Sequence, residues 1–255
     1  MEPVSHAGAY FDRRAARYDD AYDAPGPDGY ALRSRLAAVL DLAGSGPGEA
    51  FDAGMGPGRL LAELTERGWT VSGLDASGEM VEAARRRLPE AQERLVVGEI
   101  ERLPFPDASF DLVVATGVLE YADVDAALAE LARVLRPGGR AIVSYPNPGA
   151  LYGIWKSHVW YRGIRLAKRL AGRSRLALPH GSPIVGPDRF RRQLEQAGLE
   201  PASTVYTAFL VLPSPLDAGL PRLSERLGQR LERTQQRRRR RLGAQIVYSA
   251  TRRGD

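Results

Sequence analysis

The 255-residue chain contains no cysteine. That excludes a disulfide framework and a thiolate metal site. Histidine is scarce: His6, His158 and His180 are widely separated, so no dedicated zinc site is expected. No apolar run reaches the roughly 18 residues a membrane-spanning helix needs, and no signal peptide is recognisable. The expectation is a cytoplasmic protein. Lysine is nearly missing, with only Lys156 and Lys168. Almost all positive charge is therefore arginine, a bias that a GC-rich genome explains as readily as function does.

What is present is enough for one large domain with a sizeable core: 255 residues, 44% of them hydrophobic. The formal net charge is +5, concentrated in the C-terminal half. Nucleic acid, an anionic membrane surface and an acidic substrate all suit such a charge, and so does a merely solvated face.

The most informative stretch is Phe51-Asp52-Ala53-Gly54-Met55-Gly56-Pro57-Gly58-Arg59-Leu60. It reads as the end of a buried strand, a tight turn and the start of a helix. Glycines at alternate positions let a ligand approach the backbone where a Cβ would clash. The helix amides that follow form a polar, mildly positive surface. Asp75 comes seventeen residues after Gly58, at the end of the strand Thr70 to Leu74, where a carboxylate suits the two hydroxyls of a ribose. The spacing is G-x-G-x-G rather than the dinucleotide G-x-G-x-x-G. Asp52 stands where a pyrophosphate site puts a small residue. A ligand with a ribose and a cationic amine but no phosphate fits better, and S-adenosylmethionine (SAM) is one.

Four motifs in register carry a resemblance: Asp52-x-Gly54-x-Gly56-x-Gly58, Asp75, Leu103-Pro104-Phe105-Pro106-Asp107-Ala108-Ser109-Phe110-Asp111, and Leu135-Arg136-Pro137-Gly138-Gly139. Together they resemble the class I SAM-dependent methyltransferases, over roughly residues 45–146. The nearest branch is the small-molecule one that includes the ubiquinone and menaquinone biosynthesis methyltransferases. The resemblance implies a doubly wound, Rossmann-like α/β fold with a seven-stranded sheet, mostly parallel, whose antiparallel last strand lies between the fifth and sixth. It also implies roles. Asp52 and Thr116, with Gly117 beside them, orient the amino-acid end of SAM, and Asp75 with Ala76 holds the ribose. Met80 packs on the adenine, Glu99 accepts from its amino group, and the Ile100 amide meets its N1. Gly54, Met55, Gly56 and Gly58 form the backbone cradle. Tyr10 and Tyr18 line the site, and Arg17 faces the SAM carboxylate.

The chain order supports one domain over residues 1–255. Residues 10–23 predict a short helix in an N-terminal lid, 1–29. The SAM-binding core covers about 30–146 and 187–251. Leu32, Leu36, Val39, Leu40 and Ala43 share one helix face. Strands are expected at Arg94 to Gly98, Phe110 to Ala115, Arg140 to Tyr145, Ala202 to Thr207 and Ala244 to Ala250. Two helical cap insertions interrupt the pattern, at 147–186 and 208–242. In the first, Leu151, Trp155, Val159, Leu166 and Leu170 form a stripe beside Trp160 and Tyr161. Such a basic, Trp-bearing helix either roofs the substrate pocket or sits at the inner membrane face. In the second, Leu216, Leu220, Leu223 and Leu227 recur at helical spacing, and Arg237 to Arg241 are five consecutive arginines. Such runs are solvated helix faces or anion-binding ones.

The expected activity is methyl transfer from SAM to a small, lipophilic or lipid-linked acceptor, on oxygen or nitrogen. A hydroxyl acceptor benefits from a general base, and His158, His180, Glu120 and Tyr121 are the candidates. Quinone-pathway relatives often carry Glu-His where this chain has Glu120-Tyr121, so its acceptor chemistry departs from theirs. RNA methylation is the second reading: the arginine run favours it, but the chain has no Asn/Asp-Pro-Pro-Tyr/Phe sequence, so no nucleic-acid partner is expected. A SAM-binding scaffold without catalysis is the third, and NAD(P) binding is disfavoured by the glycine spacing. The sequence carries no signal for oligomeric state.

Overall fold

A computed structural model of the protein describes residues 6–155, 184–213, 215–233 and 242–254. The described residues form one seven-stranded sheet in the order β3-β2-β1-β4-β5-β7-β6. Its strands are β1 (Glu49–Ala53), β2 (Thr70–Asp75), β3 (Leu95–Val97), β4 (Phe110–Ala115), β5 (Leu135–Pro146), β6 (Leu199–Phe209) and β7 (Gly243–Arg252). The first five pair in parallel. The last, β7, runs antiparallel to both β5 and β6. This is the topology the sequence resemblance implied.

The helices are α1 (His6–Asp12), α2 (Ala15–Asp23), α3 (Pro27–Ala43), α4 (Arg59–Glu66), α5 (Gly78–Arg87), α6 (Val124–Val134), α7 (Leu151–Trp155), α8 (Pro187–Gln196), α9 (Leu216–Gly219) and α10 (Pro221–Glu232). They cover both faces of the sheet. Strand alternation assigns the two cores. Phe51 and Ala53 of β1 face the layer holding α6 and α8, where Phe51 stacks on Phe110 at 5.0 Å. Ala50 faces the opposite layer with Val39, Leu61 and Leu64 of α3 and α4. Central strands buried on both faces need continuous apolar runs, and Leu112, Val113, Val114 and Ala115 are all fully buried.

Capping fixes where the site-bearing helices begin. Ser77 caps α5 by accepting the Met80 N–H at 3.1 Å. Asp123 caps α6 by accepting the N–H groups of Asp125 and Ala126, each at 3.1 Å. Such caps contribute about 1 kcal/mol each.

Several expectations are corrected. The helix expected over 10–23 is two helices, broken at Arg13 and Arg14. Strand β5 starts at Leu135 rather than Arg140, and β6 is longer than Ala202 to Thr207. The leucines expected at helical spacing in the second insertion lie largely at the surface. Leu216, Leu220 and Leu223 are 55%, 50% and 46% exposed. The buried face of α10 is Ser224 and Gly228 instead. Small residues win there because the helix lies close to α3: a Cβ at Gly228 would be 2.6 Å from the Phe209 carbonyl oxygen and 2.6 Å from Tyr30 Cε1. Most of the first insertion, with His158 and His180, lies outside the described residues, as does Arg237 to Arg241.

Candidate active site

The glycine turn joins β1 to α4 at the carboxyl edge of the sheet. Gly54, Gly56 and Gly58 have φ of +79°, +53° and +77°, the left-handed region that only glycine enters freely. Space matters as much as φ. A Cβ at Gly54 would lie 2.8 Å from Val118 Cβ, and one at Gly58 3.0 Å from Ala84 Cβ. Gly54 therefore lets the segment after β4 close over the turn, and Gly58 lets α4 and α5 meet.

Asp75 ends β2 beside this turn. Its two oxygens accept the N–H groups of Gly56 and Ser77, each at 2.9 Å. These bonds aim the carboxylate and lower its pKa, but burial outweighs them and leaves it raised. Asp52, 2% exposed, lies behind the turn. Its Oδ1 has no hydrogen-bond partner. Burial, then repulsion from Asp75, pushes its pKa up to about 7 against the pull of the Arg35 guanidinium. A buried carboxylate in this state favours any cation that reaches it.

A cavity opens between these groups and helices α1 and α2. Tyr18, Gly54, Gly56, Asp75, Ala76 and Met80 line it. Glu99, Ile100, Thr116 and Gly117 line it as well. Asp52 sits behind this wall rather than in it. Met55 and Gly58 are not at the surface of the cavity. Met55 is turned into the core, its sulfur where a Cβ on Gly73 would come within 2.3 Å. Leu74, Val118 and Ala122 add apolar wall. Arg17, expected at the carboxylate end, is exposed and does not line this cavity.

Helices α1 and α2 are tied down by three aspartates. Asp12 accepts the Ser77 hydroxyl at 2.5 Å, Asp19 pairs with Arg87 at 2.5 Å, and Asp23 with Arg59 at 3.2 Å. Surface pairs are each worth at most about 1 kcal/mol, so these contacts hold α1 and α2 only modestly. Tyr18 is carried by α2 to within 3.9 Å of where a Cβ on Gly56 would sit. Burial pushes its phenol up to about 12. No cluster of three metal-ligating His, Asp or Glu occurs among the described residues.

The methyltransferase domain family matches residues 51–143. A demethylmenaquinone methyltransferase of Deinococcus radiodurans is 34% identical over 181 residues, covering 64% of this chain and 73% of that protein. The chain belongs to the SAM-dependent methyltransferase family. The malonyl-[acyl-carrier protein] O-methyltransferase of Serratia marcescens is 38% identical over 144 residues, 55% of this chain and 52% of that protein. Two further curated relatives are spanned over only 32% and 36% of their own lengths. The structure of a SAM-dependent methyltransferase from Thermotoga maritima has the same fold, with a TM-score of 0.62, 21% identity and coverage of 96% of this chain and 99% of that one.

The cofactor of the family is SAM, and the site fits it. The cradle of Gly54 and Gly56 leaves room that side chains would fill. The unpartnered Asp52 oxygen suits an ammonium group, and Asp75 suits a pair of hydroxyls. Glu99 is exposed at the cavity mouth and Ile100 is buried beside it.

A second cavity adjoins the methyltransferase cofactor site and shares Phe11, Tyr18, Gly117 and Tyr121 with it. It encloses about 380 Å³. Phe11 meets Tyr121 edge-on at 5.3 Å and Tyr10 at 5.2 Å. Glu120 lines this cavity with Oε2 buried and unpartnered, and burial raises its pKa. Tyr121 stands at the boundary, its phenol also raised by burial. Sequence reasoning missed Phe11 and Arg35. Arg35 falls three residues after Leu32 and four before Val39, on the buried face of α3. A charged residue on an apolar stripe was a readable signal.

Proposed function

We propose that the protein transfers the methyl group of SAM to a small acceptor, lipophilic or lipid-linked, seated in the second cavity. The observation that carries this reading is the shared aromatic wall: a ligand there would be adjacent to the methionine end of the cofactor site, near Thr116 and Gly117. Relatives named for demethylmenaquinone and for malonyl-acyl-carrier protein support a small acceptor.

Bound SAM supplies an electrophilic methyl on a sulfonium. The protein's own contribution is chiefly orientation, since in-line displacement gains most from two ligands held at the right angle. Asp52, behind the turn, supplies negative charge toward the ammonium end. Asp75, fixed by the Gly56 and Ser77 amides, takes the ribose hydroxyls. Glu99 and the Ile100 amide read the adenine edge. Phe11, Tyr18 and Tyr121 shut out water between the two ligands.

No helix among the described residues is long and apolar enough to cross a membrane. The exposed Leu216, Leu220 and Leu223 suit a cytoplasmic protein that meets a lipophilic acceptor at the membrane face. The test is incubation with methyl-labelled SAM and a bacterial extract, followed by phase separation. Label in the organic phase is expected, and Asp75→Ala should abolish it. Label in high-molecular-weight RNA would replace this reading with RNA methylation. SAM binding without transfer to any fraction would favour the scaffold reading.

A further inference from the structure

Arg35 is a buried cation. Its side chain comes from the middle of α3 and is only 6% exposed. The guanidinium lies against Gly117: a Cβ there would be 2.8 Å from Nη1 and 3.1 Å from Nη2. Nη1 donates to the Gln245 side-chain oxygen at 3.3 Å, and the Tyr22 hydroxyl is a second neutral partner. Arg35 forms no ion pair among the described residues. Guanidinium carries five donors, and buried charges are ordinarily paired with an opposite charge. This one feels the fields of Asp52 and Glu120 without an ion-pair contact to either, and it is presented at the wall of the second cavity.

The rest of that cavity defines what would complete the pair. Tyr10, Phe11, Tyr18 and Tyr121 offer ring faces and edges to a flat, apolar body. Arg14 and Asp28 bring one charge of each sign to its rim. Glu120 faces the same space with an oxygen that is buried and without a hydrogen bond. A cation and a proton acceptor thus meet in one aromatic cavity, next to Gly117 at the cofactor site.

We propose that the acceptor is a planar organic acid whose acidic oxygen is held by Arg35, gives its proton to Glu120 and receives the methyl group. This rests on the methyltransferase reading and narrows it to O-methylation. The step balances. The acceptor O–H bond breaks and its proton becomes the Glu120 carboxyl hydrogen. The oxygen lone pair forms the O–CH3 bond while the S–CH3 electrons return to sulfur, leaving S-adenosylhomocysteine (SAH). The total charge of the acceptor cavity is unchanged by the proton shift: Arg35 stays positive, Glu120 becomes neutral and the acceptor becomes the anion. An acid that arrives as its anion reaches the same state when Glu120 takes up one proton from solvent, so the low-dielectric pocket never holds two ionised carboxylates.

The test uses the full chain loaded with SAH and titrated with 2-naphthoate and its neutral isostere 2-naphthamide. The wild type should prefer the acid by about tenfold or more, the scale of one charge-assisted bidentate pair. Arg35→Met should abolish the preference and Arg35→Lys retain part of it. No preference in the wild type, or an undiminished one in a Met variant that still binds SAH, overturns the assignment. If the Met variant does not fold, the wild-type comparison and the Lys variant decide. Failure of the wild type to bind SAH overturns the methyltransferase reading instead. Glu120→Gln should keep naphthoate binding but lose about 10²-fold in label transfer from SAM to the extract-derived acceptor; unchanged transfer, or a labelled product methylated on nitrogen, refutes the proton-acceptor role.

Discussion

Asp52→Asn should make the protein more stable and a poorer cofactor binder, with both effects depending on pH. Burial raises the folded-state pKa of Asp52 from 3.8 to about 7. Folding therefore favours its protonated form. Below pH 3.8 the group is neutral in folded and unfolded chains and contributes nothing to pH dependence. As pH rises from there to about 7, the unfolded chain releases this proton first, so stability falls. Above that range the loss is complete, at roughly 4 kcal/mol. That is a large part of a domain's typical 5–15 kcal/mol or so. An asparagine at this position has nothing to ionise. The stability gap between Asn variant and wild type should widen by about 2–3 kcal/mol between pH 5 and pH 8. Denaturant unfolding of both proteins without cofactor, at both pH values, measures this directly. Other carboxylates shift both proteins alike and cancel. SAH titration supplies the second readout. Wild-type affinity should drop as pH falls below about 7, while the Asn variant should bind weakly at every pH. A gap that does not change with pH, or an Asn variant with wild-type SAH affinity, would refute the assignment of Asp52 as a strained carboxylate awaiting a cation.

Asp75→Ala removes the acceptor of two backbone amides and, in the proposed cofactor pose, of the ribose hydroxyls. SAH affinity should fall about 100-fold by calorimetry, with the fold retained by circular dichroism. Gly228→Ala drives a Cβ to within 2.6 Å of the Tyr30 ring, so its denaturation midpoint should fall with a cost of about 1–3 kcal/mol. Arg133 donates to the carbonyls of Leu103 and Phe105, at 3.0 and 2.8 Å, and pairs with Glu130 and Asp107 at 2.7 Å each. Arg133→Ala should loosen the segment Leu103 to Ser109, speeding its amide hydrogen exchange while the central strand β4 stays protected.

The features legible in the sequence are those that local pattern dictates. A G-x-G-x-G turn after an apolar run demands left-handed backbone, and Gly54, Gly56 and Gly58 adopt it. Apolar stretches marked the strands, among them Phe110 to Ala115. Helix spacing revealed the leucines of α10 but not which way they point. Periodicity reports that a helix has two faces, and only the neighbouring α3 and β6 decide that Ser224 and Gly228 are the inner one. The strand β5 extends back to Leu135 because pairing with Phe110 of β4 outweighs the turn chemistry of Pro137 and Gly138.

The sequence by itself determined the fold, the cofactor and the cradle that would receive it, because each depends on residues close together in the chain or on motifs in fixed register. Only the tertiary structure decided the chemistry of the acceptor side. Arg35 and Glu120 are 85 residues apart, and no local pattern links them. Folding places a guanidinium and an unpartnered carboxyl group in one aromatic cavity. It raises the pKa of Asp52 through burial and the field of Asp75, and it turns Met55 inward and Arg17 outward. Burial and electrostatic fields are sums over the whole packed molecule, so the protonation state and orientation of a site residue become defined only when the chain closes around it.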